Sequence, residues 1–279
     1  MTQMVRAHPV LSYFLVTFMI SWGLAFVVAS PELLVGKAIS RTDGILMFPA
    51  MEIGPIVTGL VLTRLVDGKE GMRDLVSRMR KWKVGSWYLS ALIPPSIIIL
   101  TLLILSSFVS SVYTPNFFVY GIGFGVLAGY VEEIGWTGYA IKKLFGKHST
   151  FTSAIMLGAL WGLWHAPVVD FLGAAYPHGE YWLPFYLSFI AIVMAIRVLI
   201  VWIYANTKSV LSAQVMHASF TGSLAVFAPA AVLPAQEAGW YAICAGFLWL
   251  VVALIVARLG KQLSPPRKDQ PKSLPNGRN

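Results

Sequence analysis

The sequence predicts an all-α polytopic membrane protein of about eight transmembrane helices, and three observations carry that expectation. Hydrophobic residues make up 57% of the 279-residue chain and charged ones 12%, a balance foreign to soluble domains. Apolar runs of about 20 residues recur along the whole length, each long enough to cross the hydrocarbon core as a helix. Basic residues gather in alternate segments between those runs, as they do in membrane proteins of fixed orientation.

The apolar runs fall at roughly 11–29, 45–66, 87–110, 118–141, 151–170, 183–204, 210–229 and 239–258. The first is long enough to span and has no clear small-residue cleavage site, so it reads as a helix and not a signal peptide. Only Lys37 and Arg41 lie between the first and second, whereas the 67–85 segment after the second carries Lys69, Arg73, Arg78, Arg80, Lys81 and Lys83. The third and fourth runs are joined by 111–117, which has no basic residue, and the fourth ends at Lys142, Lys143 and Lys147. The fifth and sixth are joined by the cation-free 171–182, and the sixth turns into the seventh at Lys208. The 230–238 segment again has no cation, and the last run leads to a basic tail. Lys and Arg thus mark every second loop, which places both termini in the cytoplasm, with a prokaryotic plasma membrane as the expected location. The net charge of +9 belongs to these loops and the tail, so it points to lipid and not to nucleic acid.

Within the 67–85 segment, 70–84 reads as an amphipathic helix with Met72, Leu75, Val76 and Met79 on one face, or as a plain topogenic loop. Residues 1–263 are expected to form one domain. Residues 264–279, rich in Pro and charge, are expected to be a disordered tail. The single cysteine, Cys244, says nothing about redox compartment.

The chemistry lies in the fourth to seventh runs. Glu132 and Glu133 are adjacent carboxylates inside an apolar stretch, where each costs roughly 2.5–3.5 kcal/mol to insert. They mark an ion path, an ion pair or catalysis. His165 sits in the fifth run one turn after Trp161, and Pro167 follows it. His217 sits in the seventh run with Thr221 one turn on, sharing its face. Arg197 is the remaining deep charge, read either as snorkelling to the interface or as neutralising one of the glutamates.

This order of elements resembles the CPBP intramembrane proteases, also called CAAX prenyl protease 2 or Abi proteins. The family signature is Glu-Glu-x-x-x-Arg on one membrane helix, an aromatic residue four before a His on the next, and a later His-x-x-x-Asn. Glu132 with Glu133, Trp161 with His165, and His217 match in turn. The likeness covers about 125–225 closely and 67–85 loosely. Thr137 stands where the family has Arg, which makes Arg197 the candidate replacement cation. Thr221 stands where it has Asn, leaving a hydroxyl in place of an amide donor. These departures keep a second reading open: a catalytically impaired protein of the same fold serving as immunity factor, scaffold or regulator.

The resemblance implies an endopeptidase acting on a membrane-tethered peptide, lipidated or not. Glu132 would be the base that activates a water, His165 would help hold that water, and His217 and Thr221 would face the oxyanion. Glu133 would brace the site through an ion pair. Two His and one Glu also form a zinc-hydrolase ligand set, so Glu132, His165 and His217 are metal candidates, although the favoured mechanism does not require zinc. Helix-spacing arithmetic sets Glu132 and His165 each about 21–23 Å from the turn that joins their helices, at nearly equal depth. The four residues are therefore expected to share one polar pocket, opening toward the cytoplasmic half.

Overall fold

The computed structural model describes residues 2–145, 147–173 and 176–265, and all regular elements among them are helical. They are α1 (Thr2–Ala7), α2 (Pro9–Leu33), α3 (Arg41–Leu62), α4 (Gly68–Met79), α5 (Ile93–Phe108), α6 (Gly121–Gly135), α7 (Lys142–Leu144), α8 (Thr150–Trp164), α9 (Trp182–Thr207), α10 (Val210–Phe227) and α11 (Pro234–Leu259). A π-helical segment, Trp136–Ile141, joins α6 to α7 without a break. Most of the tail expected to be disordered, 266–279, lies outside the described residues.

Six helical stretches are long and apolar enough to cross a membrane: Pro9–Leu33, Arg41–Met79, Gly85–Phe108, Gly179–Thr207, Val210–Phe227 and Pro234–Gln262. The two remaining expected spans, those of α6 and α8, are the ones that carry the glutamates and His165. Helix α8 is apolar but only 15 residues long. At 1.5 Å per residue that is about 22 Å, short of the ~30 Å hydrocarbon core. The expected fifth span, 151–170, therefore ends early, at Trp164. Pro167 is the cause, because it has no N–H to donate to the preceding turn and its ring crowds that turn's carbonyls. The chain continues instead as a 3₁₀ segment, Ala166–Phe171.

Polar side chains start two of the site-bearing helices, α8 and α10, where the sequence changes from loop to apolar run. Ser149 accepts from the Thr152 amide to cap α8, and Ser209 accepts from the Ser212 amide to cap α10, each at 3.1 Å. Helices α6 and α10 make the most extensive pairing in the bundle. A Cβ at Gly129 would come within 2.5 Å of the Ala218 amide nitrogen, so glycine there permits backbone-to-backbone approach.

Of the two readings of the basic 67–85 segment, the structure has a helix, ending at Met79 and not at 84. It is docked on the bundle. Leu75 is fully buried, and Arg78 donates to the Gly138 carbonyl (2.8 Å) and the Tyr204 hydroxyl (2.9 Å). Lys142 and Lys143 reach back to Asp74 (2.7 Å) and Asp67 (2.5 Å), so this end of the bundle is cross-braced by ion pairs.

Candidate active site

The adjacent glutamates leave α6 about 100° apart around the helix, so each meets a different set of partners. Glu132 is 2% exposed, and its Oε2 accepts from two indole N–H groups, Trp136 at 2.8 Å and Trp161 at 2.7 Å. Trp136 lies one turn along the same helix, while Trp161 comes from α8. The other oxygen, Oε1, lies 3.8 Å from His217 Nε2, beyond direct hydrogen bonding.

Glu133 is fully buried and heavily paired. Arg197 Nη1 donates to its Oε1 at 2.8 Å and its Oε2 at 2.9 Å. The Thr137 hydroxyl, one turn along, also donates to Oε2. The His217 Nδ1 completes the set at 2.8 Å from Oε1. Arg197 does not snorkel. Its side chain is fully buried, and its guanidinium carbon lies 4.2 Å from the centre of the Trp161 ring, a cation–π contact. The position where the resembled family has Arg thus holds a hydroxyl, and the cation reaches the same carboxylate from α9.

His165 is the residue that closes α8, in an αR conformation just before Ala166 and Pro167. Its Nδ1 lies 2.8 Å from the Trp161 carbonyl, an acceptor only, so the ring proton belongs on Nδ1 and Nε2 is left as an acceptor. Aromatic edges fix the ring: centroid distances are 4.8 Å to Trp164 and 4.9 Å to Phe189. His217 is held similarly, 4.9 Å from Trp161.

Glu132, His165, His217 and Thr221 all line one cavity of about 480 Å³. Its outer wall is made by Arg41, Asn116, Phe171, Tyr176 and Ala228–Ala230. These belong to the helix start and loops opposite the basic loops. The cavity therefore reaches the end of the bundle opposite the basic loops, and not the basic half toward which the opening was expected. On the basic side the path is closed by the wholly buried π segment, with Trp136 and Tyr139 packed around Tyr13. Another depression of about 490 Å³, between α2 and α8, is lined mainly by apolar side chains such as Phe14, Phe18 and Leu160, and holds none of these residues.

One oxygen of Glu132 and one nitrogen of each histidine are left unbonded, donor types that zinc accepts, so their arrangement decides. Among the described residues no three His, Cys, Asp or Glu side chains are arranged to hold an ion.

Two features were missed in the sequence. Glu52 on α3 lines the same cavity as Glu132. A lone carboxylate inside the second apolar run was signal enough to find it. The other is a buried cluster near the mouth, where His178 lies 3.3 Å from Glu237 and 3.5 Å from Asp170 and stacks on Phe185. Nothing in the local sequence pairs those residues.

Fold and site together define a polytopic membrane protein with carboxylates and imidazoles gathered round a buried, open-ended cavity. The model of Rce1-like type II CAAX prenyl endopeptidases matches residues 114–223, the stretch that carries the glutamates and both histidines. A relative described as CAAX prenyl protease 2, from Methanococcus maripaludis, is 27% identical over 224 residues, which is 74% of this chain and 80% of the relative. The chain is thus similar to CAAX-type prenyl endopeptidases over the stretch that holds the site.

Proposed function

We propose that the protein is an intramembrane endopeptidase that hydrolyses a peptide bond in a membrane-tethered substrate, of the prenylated, CAAX-ended class for which its relatives are named. The observation that carries this reading is the split environment of Glu132. One carboxylate oxygen is fixed by two indoles, while Oε1 faces the cavity beside His217, free of a strong donor. A fixed carboxylate with one open oxygen is the arrangement a general base needs.

Each neighbour then has a task set by its protons. A water in the cavity gives its proton to Glu132 Oε1 and donates its second hydrogen to Nε2 of His165. His217 donates through Nδ1 to Glu133, so donation through Nε2 to an oxyanion requires both nitrogens protonated. The Glu133 carboxylate balances that charge. The Thr221 hydroxyl, one turn beyond His217, is the second donor. Glu133 is a positioning residue that orients His217 and is itself held by Arg197 and Thr137.

The basic face is assigned to the cytoplasm of a prokaryote, and with it both termini. The scissile bond then enters from the opposite leaflet, where the cavity opens. The test is cleavage of a fluorophore–quencher peptide ending in a farnesylated CAAX sequence by protein in liposomes. Wild type should cleave it, and Glu132→Gln should not. Equal rates in the two proteins would overturn the assignment.

A further inference from the structure

We infer that Glu52 is the second carboxyl of an acid–base pair with Glu132, holding the proton that the leaving amine receives. This rests on the peptidase reading above and adds the residue that the reading lacks, a general acid.

Helices α3 and α6 run in the same direction and pack at unusually close range. A Cβ at Gly135 would come within 2.2 Å of the Pro55 carbonyl oxygen, and one at Gly59 within 2.7 Å of the Gly135 Cα. Glu52 lies one turn before Pro55 on that stripe, and Glu132 one turn before Gly135. The backbone contact therefore sets the two carboxyls level with each other. Both line the cavity, and Glu132 is the acidic group that bears most strongly on Glu52. Glu52 Oε2 is buried and has no hydrogen-bond partner among the described residues.

The charge inventory favours a shared proton. Glu132 and Glu133 are the acidic groups facing Glu52. Arg41, Tyr176 and Tyr241 border the outer cavity, with His165 and His217 on its inner wall. Arg197 is engaged by Glu133 and His217 faces the same carboxylate, so neither cation serves Glu52. Two carboxylates this close, in a site of low dielectric, do not both ionise. One proton between them makes one a donor and leaves the other a base, which is the pairing amide hydrolysis needs.

The steps balance. Water loses one proton to Glu132 as its oxygen bonds to the scissile carbonyl carbon. The C–N bond then breaks, and the nitrogen takes the proton of Glu52. The products are a carboxylic acid and an amine, leaving Glu132 protonated and Glu52 ionised. The proton returns along the Glu52–Glu132 contact, and no outside reductant, oxidant or co-reactant enters.

The experiment compares wild type, Glu52→Gln and Glu52→Asp in liposomes with the farnesylated peptide, across pH, alongside infrared spectra of the protonated-carboxyl C=O stretch. Glu52→Gln keeps the shape and a donor toward Glu132 but cannot transfer a proton. It is expected to lower kcat by about 10²-fold or more. It should also erase the high-pH fall in rate and remove a carboxyl band that wild type shows. Glu52→Asp should recover part of kcat and of the high-pH limb. Wild-type kcat in Glu52→Gln, an unchanged band, or Asp no better than Gln would overturn the pairing. If wild type itself leaves the peptide intact, the peptidase reading fails, and the infrared band alone decides whether the two carboxyls share a proton.

Discussion

Arg197→Met offers the sharpest physical test of how the site is built. The methionine fills much of the arginine's volume but leaves Glu133 without its cation in a fully buried position. Removing one partner of a buried ion pair typically costs about 3–5 kcal/mol. The low end applies here, because His217 and Thr137 still donate to Glu133. Losing the stack of Arg197 on Trp161 adds about 1–2 kcal/mol. For a chain of this size a loss near 4 kcal/mol lowers the melting temperature by on the order of 10 °C. Contact geometry supplies two controls. Only Nη1 reaches the carboxylate, while Nε and Nη2 have no hydrogen-bond partner among the described residues. Lysine can therefore reproduce the single-nitrogen contact, and Arg197→Lys should melt well above Arg197→Met. Adding Glu133→Gln to Arg197→Met removes the stranded charge and should restore part of the loss. Thermal denaturation of the detergent-solubilised protein reads all four. If Arg197→Met melts with wild type, or the double variant is no better than the single, the pair does not stabilise the core.

Further outcomes follow from the same geometry. His165→Ala should abolish cleavage of the farnesylated peptide while leaving the melting temperature within a few degrees of wild type, since the ring packs on aromatic edges and bonds one carbonyl. Activity equal to wild type would remove His165 from the mechanism. Thr221→Asn should hold or raise kcat, because an amide N–H replaces the hydroxyl facing the cavity; a tenfold loss would mean that Thr221 is not a donor site. In a Cys244→Ala background, cysteines at Thr114 and Tyr176 should react with an impermeant maleimide only from outside intact cells, and one at Ser149 only after lysis. Labelling in the reverse sense would invert the topology.

The sequence made the architecture legible where its signals were redundant. Repeated apolar runs and alternating loop charge gave the helical elements, and the polar residues spaced one turn apart gave Trp161 with His165 and His217 with Thr221. Two matters were not legible, and a third was legible without belonging to any motif. Depth arithmetic set Glu132 and His165 on one level, but which loops part to admit water depends on packing at the helix ends. The 151–170 run looked long enough to span because Val168, Val169 and Phe171 are apolar, yet they form a 3₁₀ segment after the helix ends at Trp164. Glu52 carried its own signal and was passed over, since it belongs to no spaced motif. Its meaning emerges only when Pro55 and Gly135 bring α3 against α6.

The shortness of α8 explains how a hydrolytic site can exist at this depth. Ordinary spanning helices would seal the carboxylates in hydrocarbon, where activating water could not reach them. Irregular backbone at membrane depth is tolerated only where protein buries it or a watery cavity meets it. Here the 15-residue helix stops early, and the chain after it supplies Phe171, Leu172, Gly173 and Tyr176 to the cavity wall. Pro167 sets that stop, and the same stop places His165 at the helix end, where its ring turns into the opening. On the opposite side, the buried π segment carries Trp136 to Glu132 and Thr137 to Glu133 while blocking the basic face. One proline and one local change of helix pitch thus make a cavity open at one end, with the carboxylates between the opening and the seal.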